Sequence, residues 1–315
     1  MKIQTNSAII IQARYGSKRF PGKILSKINN KTVLEIILLR LKKSKILKNI
    51  IVATTKDKKN IKIIEICKKL KVNYFVGSEQ NVLDRYYKAA KKFKINNIIR
   101  ITSDCPCIDV NLVDEMFGYY LKYKLDYISN QNPPTFPDGL DVEIFNIKSL
   151  DEAWKYAKKD YHKEHVTPYI IENKSLKKFN YKNSNNYSHL RLTLDEKIDL
   201  VVIKKIFNYF KKNIYFKFDD IKQLFKKNNS LFKSNMHLKR NYGSSISLGQ
   251  KIWKKAQTLI PGGTMLYSKN PNLFLPDEWP TYYSRAKGCK IWDLEGLKYN
   301  DLSTMGVGTN ILGYS

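Results

Sequence analysis

The stretch "IIIQARYGSKRFPGK", residues 9–23, runs from apolar β-formers straight into a loop carrying Arg14, Lys18, Arg19 and Lys23, with Gly16 and Gly22 for backbone freedom and Pro21 to stop a helix. Cations on so bendable a backbone suit a polyanion, because backbone N–H groups and side-chain charges together can wrap a triphosphate. A Walker-type cradle is ruled out: five residues separate Gly16 from Gly22, and Ile24 rather than Ser or Thr follows Lys23. A dinucleotide fingerprint fails as well, since no third glycine opens the helix. A solvated basic turn explains the spacing equally well. Two acidic positions add to the picture. "RITSDCPCID", residues 100–109, sets Asp104 just past an apolar strand, where an ionised carboxylate needs a positive partner such as a divalent metal. Capping the helix that begins near Asn111, or turning the chain before Pro106, is the plainer role for Asp104. "LRLTLDEKIDL", residues 190–200, places Asp195 in the same way, where it also reads as an N-cap. Carboxylates and basic loop together are what a Mg²⁺-nucleoside triphosphate requires: oxygen ligands for a hard cation and positive charge for the phosphates.

The elements that must position these residues alternate. "SAIIIQA", "NIIVATT", "NYFVG", "NIIRITS" and "DYISN" are short β-branched runs, separated by amphipathic stretches near 32–43, 57–70, 81–94 and 111–124. This is the pattern of βαβ units, hence an α/β protein with a mostly parallel sheet and helices on both faces. Ligands of such sheets bind beyond the carboxyl ends of the strands, where the basic loop and Asp104 both fall. From "NPPTFPDGLDVEIFN" onward the pattern is an extended pair, helices near 148–159 and 161–173, a strand "HLRLTLD" and a further helix. Residues 1–226 therefore read as one domain, 227–247 as a polar linker and 248–315 as a separate, incomplete segment.

With 57 Lys and Arg against 28 Asp and Glu, the formal net charge is +29, which ordinarily points to nucleic acid or an anionic membrane. The excess is almost all Lys, spread evenly along helices and accompanied by Asn and Ile, as AT-rich codon usage would give. There are only eight arginines, and five of them (Arg14, Arg19, Arg85, Arg100, Arg191) fall in the motifs discussed here. Arginine offers a planar fork that lysine cannot copy. No run approaches the roughly 20 apolar residues of a membrane helix, and the N-terminus lacks a cleavable signal, so a cytoplasmic location with no membrane partner is expected. Cys67, Cys105, Cys107 and Cys289 lack zinc spacing and read as buried, reduced thiols.

"QARYGSKRFPGK", "VLDRYYKAA", "RITSDCPCID", "PDGLDVEIF", "EHVTPYI" and "LRLTLDEKIDL", in that order over about residues 5–225, resemble the spore-coat polysaccharide biosynthesis protein F branch of the cytidylyltransferases, relatives of the enzymes that make CMP-linked keto-deoxyoctonate and CMP-sialic acid. The resemblance implies a Rossmann-like nucleotidyltransferase fold, CTP as donor, Mg²⁺ as cofactor and a small anionic or amino sugar-type acceptor, an aminoalkylphosphonate being the second choice. It leaves a homodimer open and implies no specific nucleic-acid partner. Carried over residue by residue, it makes Arg14, Ser17, Arg19 and Lys23 the triphosphate loop, with Arg14, Arg19 and Lys23 taking the leaving-group charge. Ala13, Gly16, Arg100 and Ser103 complete the nucleotide-binding set. Asp104 and Asp195 become metal ligands, with Asp199 the competitor of Asp195. Asp138, Asp141, Glu143 and His165 line the acceptor pocket; turn and strand-edge acids are the plainer reading of the first three. Asp84 and Arg85 read either as a buried pair or as substrate contacts.

Residues 256–315 are similar instead to the beginning of class III pyridoxal-phosphate aminotransferases of the glutamate-1-semialdehyde aminomutase type. The lysine that would form the cofactor Schiff base lies far downstream in that family. A truncated fusion without PLP chemistry is expected.

Overall fold

The structure is a computed structural model that describes residues 6–17, 19–211, 213–238, 240, 248–266, 268, 270–274, 280–294, 296 and 298–301; Lys18 lies outside the described residues. The chain divides into two compact units, Met1–Leu238 and Lys239–Ser315. In the first unit β1 (Ser7–Gln12) leads through the basic loop to a small hairpin, β2 (Lys27–Ile28) and β3 (Lys31–Thr32), and then to α1 (Val33–Leu41). β4 (Asn49–Thr55), α2 (Ile61–Lys69), β5 (Asn73–Gly77), α3 (Val82–Lys92), β6 (Asn97–Thr102), α4 (Val110–Lys122) and β7 (Tyr127–Ser129) follow in the expected alternation. Then come β8 (Glu143–Asn146), α5 (Ile147–Tyr156), α6 (Asp160–His165), α7 (Pro168–Glu172), β9 (Lys178–Asn180), α8 (Lys197–Tyr209) and α9 (Phe218–Lys227). The second unit has α10 (Leu248–Leu259) and a three-stranded antiparallel sheet of β10 (Tyr283–Lys287), β11 (Lys290–Asp293) and β12 (Lys298–Asn300). Part of residues 256–315, on which the aminotransferase resemblance was read, lies outside the described residues, 302–315 included. Among the described residues no helix is long and apolar enough to cross a membrane.

The seven strands of the main sheet run in the order β5-β4-β1-β6-β8-β7-β9. β1 pairs in parallel with β4 and β6, β4 with β5 and β7 with β9, while β8 runs antiparallel to both of its neighbours. Side chains alternate across a strand, so the unbroken apolar run of β1 serves two cores at once. Ile9 and Ile11 join one buried cluster with α1, α4 and α8; Ala8 and Ile10 join the other with α3 and α5. Each fully buried Ile contributes about 1.5–3 kcal/mol. From β1 the chain goes first to β4 and β5 on one side and then crosses to β6 on the other. The order therefore switches between β1 and β6, the place where ligands of open α/β sheets bind. Gln12 pairs with Thr102 there, so the basic loop and Asp104 leave the sheet side by side.

Four local expectations need correction. The strand read over "HLRLTLD" forms no ladder; it is an extended segment with a single parallel bridge, Arg191 to Asp138. Its backbone still alternates: Leu190 accepts from Asp138 N at 3.0 Å, Leu192 N donates to Asp138 O at 2.6 Å and Leu194 N donates to Asp104 O at 2.8 Å. The leucines are buried in the core while Arg191, Thr193 and Asp195 turn the opposite way. The helix read over 161–173 is broken at Val166, whose φ of 71° and ψ of −56° with Thr167 N donating to His165 O at 2.8 Å make a strained γ-turn. Residues 227–238, read as linker, belong to the first unit: Asn229–Phe232 makes a 3₁₀ turn and Phe232 and Asn235 are buried. Of the cysteines, Cys67, Cys105 and Cys107 are buried free thiols, but Cys289 is exposed.

Gly139 carries the approach of the 138–141 loop to the 190–195 segment. Its φ is +99°, and a Cβ there would run into the Leu192 carbonyl carbon and the Thr193 amide nitrogen, neither of which can rotate away. Gly139→Ala should cost about 2–3 kcal/mol. A urea midpoint within error of the parent would contradict this account of the loop contact.

Candidate functional site

The loop after β1 folds upon Tyr15. Its carbonyl accepts from Ser17 N and from Gly22 N, both at 2.9 Å, and its N–H donates to Asn60 Oδ1 at 2.7 Å. Gly22 has φ +72°, and a Cβ would strike the Tyr15 ring, so glycine closes the loop. The 3₁₀ turn Lys23–Leu25 follows and aims Lys23 back across the end of the sheet. Lys23 Nζ stands 2.7 Å from Asp104 Oδ2 and 2.8 Å from Asp195 Oδ1. Arg19 reaches Asp195 Oδ1 at 3.2 Å and Glu196 Oε1 at 3.1 Å. The two aspartates thus converge on one ammonium ion in front of the basic loop.

Electrostatics accounts for that arrangement. Burial alone would push the Lys23 pKa down, but Asp104 and Asp195 outweigh it and hold it at about 12. Burial would likewise raise Asp104, yet Lys23 and the Thr102 hydroxyl bring it from 3.8 to about 2. The Cys105 thiol beside them is pushed well up, first by burial and then by Asp104, Asp141 and Asp138, which places those three carboxylates around it. Asp104 caps no helix: the N-cap of α4 is Asp109, which accepts from Asn111 N. Nor does Asp195 cap α8, whose N-cap is Glu196.

Behind the pair lies a buried cluster on Arg191. Its guanidinium grips Asp199 with Nε at 2.9 Å and Nη2 at 3.0 Å, reaches Asp138 at 2.8 Å and holds Asp195 Oδ2 at 3.2 Å. Asp199 is fully buried and also accepts from Asp195 N, Glu196 N and Asn235 Nδ2. Burial would raise the Asp199 carboxyl, but these donors, Arg191 first, keep it below its ordinary value. Arg191 therefore takes one oxygen of Asp195 and leaves the other facing Lys23. Asp199, the competitor for metal ligation, is the counter-ion of Arg191.

The remaining residues separate clearly. Ala13 is buried with its N–H on Ala53 O at 3.1 Å, Ser103 is buried, Gly16 is exposed and Ser17 half-buried. Arg14 is half-exposed, 3.9 Å from Glu79. Arg85 is buried and donates to Ser78 O at 2.6 Å; burial, with Arg14 beside it, brings its pKa down to about 10. Asp84 is not its partner, since it pairs with Lys88 and accepts from Trp154 Nε1. Arg100 and Glu143 are register partners in the sheet and pair with each other, Tyr127 donating to Glu143 at 2.7 Å and Arg100 to Gln12 at 3.2 Å. Both are enclosed by these partners. Asp138 is tied to Arg191, whereas Asp141 is half-buried near Cys105 and His165 half-buried at the end of α6. Sequence reading missed Glu79, Glu196 and Asn235. Glu196 was next to a candidate, but Asn235 sat in a segment read as linker and gave no signal.

Among the described residues no cluster of three or more His, Cys, Asp or Glu forms a metal cage. The site offers two carboxylates, and this suits Mg²⁺, which takes one or two protein carboxylates and completes its shell with substrate phosphates and water.

With the geometry in place, comparison with known proteins adds a family. The cytidylyltransferase profile matches residues 8–242. A protein of Methanocaldococcus jannaschii is 45% identical over 204 residues, 64% of this chain and 83% of its own length. The spore coat polysaccharide biosynthesis protein SpsF of Bacillus subtilis is 34% identical over 207 residues, 63% and 85% of the two chains. A solved cytidylyltransferase structure from Leptospira borgpetersenii superimposes with a TM-score of 0.71 at 36% identity, covering 73% of this chain and 98% of its own. The α/β nucleotidyltransferase fold is thereby shown, and the profile match stops before α10.

Two outcomes follow for stability. Arg191→Met leaves buried carboxylates without a cation and should cost about 3–5 kcal/mol in a denaturant titration. Because Asp104 sits at about 2 when folded against 3.8 ordinarily, its stabilisation is whole above pH 4 and fades as pH falls through about 2. Asp104→Asn should flatten the stability-against-pH curve in that window; an unchanged slope would show that the Lys23 bridge does not set it.

Proposed function

The chain belongs to the cytidylyltransferase family, and from that premise we propose that it transfers CMP from CTP to a sugar-type acceptor bearing acidic or amino groups, releasing pyrophosphate, in surface polysaccharide biosynthesis. The convergence of Lys23, Arg19, Asp104 and Asp195 at the β1–β6 switch point carries this reading. An acceptor oxygen attacks the α-phosphorus, a new P–O bond forms and the bond to the β-phosphate oxygen breaks, its electrons leaving on pyrophosphate. Such chemistry needs alignment and neutralisation rather than a protein nucleophile. Arg14, Arg19 and Lys23 meet the charge that grows on the β- and γ-phosphates. Asp104 and Asp195 would hold Mg²⁺, which when bound supplies Lewis-acid polarisation of the phosphate oxygens.

On the acceptor side, Asp138 and Glu143 are committed to Arg191 and Arg100. Asp141 and His165, both half-buried, complete the acceptor-side set with them. The name of the Bacillus subtilis relative supports a sugar for a surface polysaccharide.

The test is pyrophosphate release from CTP and Mg²⁺ with panels of sugar acids, amino sugar acids and aminoalkylphosphonates, with UTP and ATP as controls. Turnover with CTP and one acceptor class is expected, and Arg19→Ala or Lys23→Ala should lower it by about 10²–10³. Near-normal rates in both variants would remove the assignment of the loop.

A further inference from the structure

We propose that Lys23 is an exchangeable placeholder: its ammonium holds the Asp104–Asp195 pair together and blocks a divalent cation there until the phosphates of a nucleotide draw the lysine aside. The inference rests on the reading of Asp104 and Asp195 as metal ligands.

Space and charge carry the argument. Nζ is within 2.8 Å of one oxygen from each aspartate. Mg²⁺ on those same oxygens would sit about 2.0–2.1 Å from each, inside the volume that the ammonium fills. Steric exclusion is reinforced by repulsion between a single and a double positive charge at contact. The other oxygen of Asp195 belongs to Arg191, and Arg19 shares Oδ1 with Lys23, so both oxygens of Asp195 are met by cations, while Asp104 Oδ1 faces the Cys105 thiol at 3.7 Å.

The lysine is built to leave. Its backbone is anchored in the 3₁₀ turn behind Gly22, while four flexible carbons separate that anchor from the charge. Its neighbours on the loop, Arg14 and Arg19, are the groups assigned to the phosphates. An ammonium that moves towards them exchanges two carboxylates for a triphosphate and stays paired throughout. Metal and nucleotide binding are then linked with positive sign, since each removes the obstacle to the other.

The experiment measures Mn²⁺ binding to the full chain without nucleotide, by electron paramagnetic resonance of the free ion. Lys23→Met and Lys23→Gln should each bind Mn²⁺ at least about tenfold more tightly than the parent, and Lys23→Arg, which keeps the charge, should bind as weakly as the parent. Adding Asp104→Asn to Lys23→Met should abolish the gain. Thermal melts, in which Mn²⁺ should stabilise Lys23→Met more than the parent, report the same effect independently and show that each variant is folded. Equal Mn²⁺ affinity in parent and Lys23→Met overturns the placeholder, and if CTP turnover persists the cytidylyltransferase reading survives. Absence of Mn²⁺ binding in every variant overturns the placeholder and the metal-ligand assignment together, whereas absence of CTP turnover would count against the cytidylyltransferase reading itself.

Discussion

One ammonium ion shared by two carboxylates is the constraint on which the site depends. Asp104 and Asp195 come from distant parts of the chain, and like charges do not gather at a buried strand end unless a cation meets them. Lys23 is that cation. The sheet makes the meeting unavoidable. Parallel pairing of β1 and β6 brings the Lys23 loop beside Asp104, and the bond from Leu194 N to Asp104 O pins the segment carrying Asp195 against the same turn. Gly139 lets the 138–141 loop close over that segment.

The use of arginine and lysine in this chain follows a physical division. Arg191 sits where several acceptors must be held in fixed geometry, and Arg40, buried, caps the carbonyls of Cys107, Ile108, Ile214 and Phe216 with its fork. Arg100 lies in the sheet against Glu143. These are fixed, multidentate tasks that a point charge on a flexible stem performs poorly. Lys23 has the opposite task, a single charge between two partners that both have other uses. In a chain whose default cation is lysine, arginine marks rigid joints and one lysine marks the movable part.

Much of this was legible beforehand. Unbroken β-branched runs separated by amphipathic stretches specified the alternating sheet, because strands buried on both faces have no other use for so many isoleucines. The loop, Asp104 and Asp195 were findable because each follows a strand and carries chemistry out of keeping with an apolar surround. What could not be read was partnership. Nothing in "PDGLDVEIF" tells that Asp138 faces Arg191 or that Glu143 faces Arg100; those contacts depend on an isolated bridge and on strand register between segments far apart in sequence. "HLRLTLD" has the period of a strand but finds only a one-residue bridge, since a period of two specifies an extended backbone and not a neighbour. Residues 227–238 looked like linker because they are polar, yet a buried asparagine in a charged cluster is polar for the same reason.

The charge of the site itself leads to a final step. The whole chain carries +29, but among the described residues around the loop the cations Arg14, Arg19, Lys23 and Arg85 lie close to the carboxylates Glu79, Asp104, Asp195 and Glu196. The described charges at the loop are thus paired, while the chain as a whole is strongly positive. A polyanion is attracted by the long-range field of dispersed lysines, which salt screens, and is bound by exchanging partners within a paired network, which salt affects far less. Paired acids also hold the cations in position without letting them collapse onto one another or repel the loop open. Recognition in such a site is set less by how many positive groups are present than by which of them can be released from their carboxylates, and the Asp104–Asp195 pair gains a place for a new cation only as Lys23 is released.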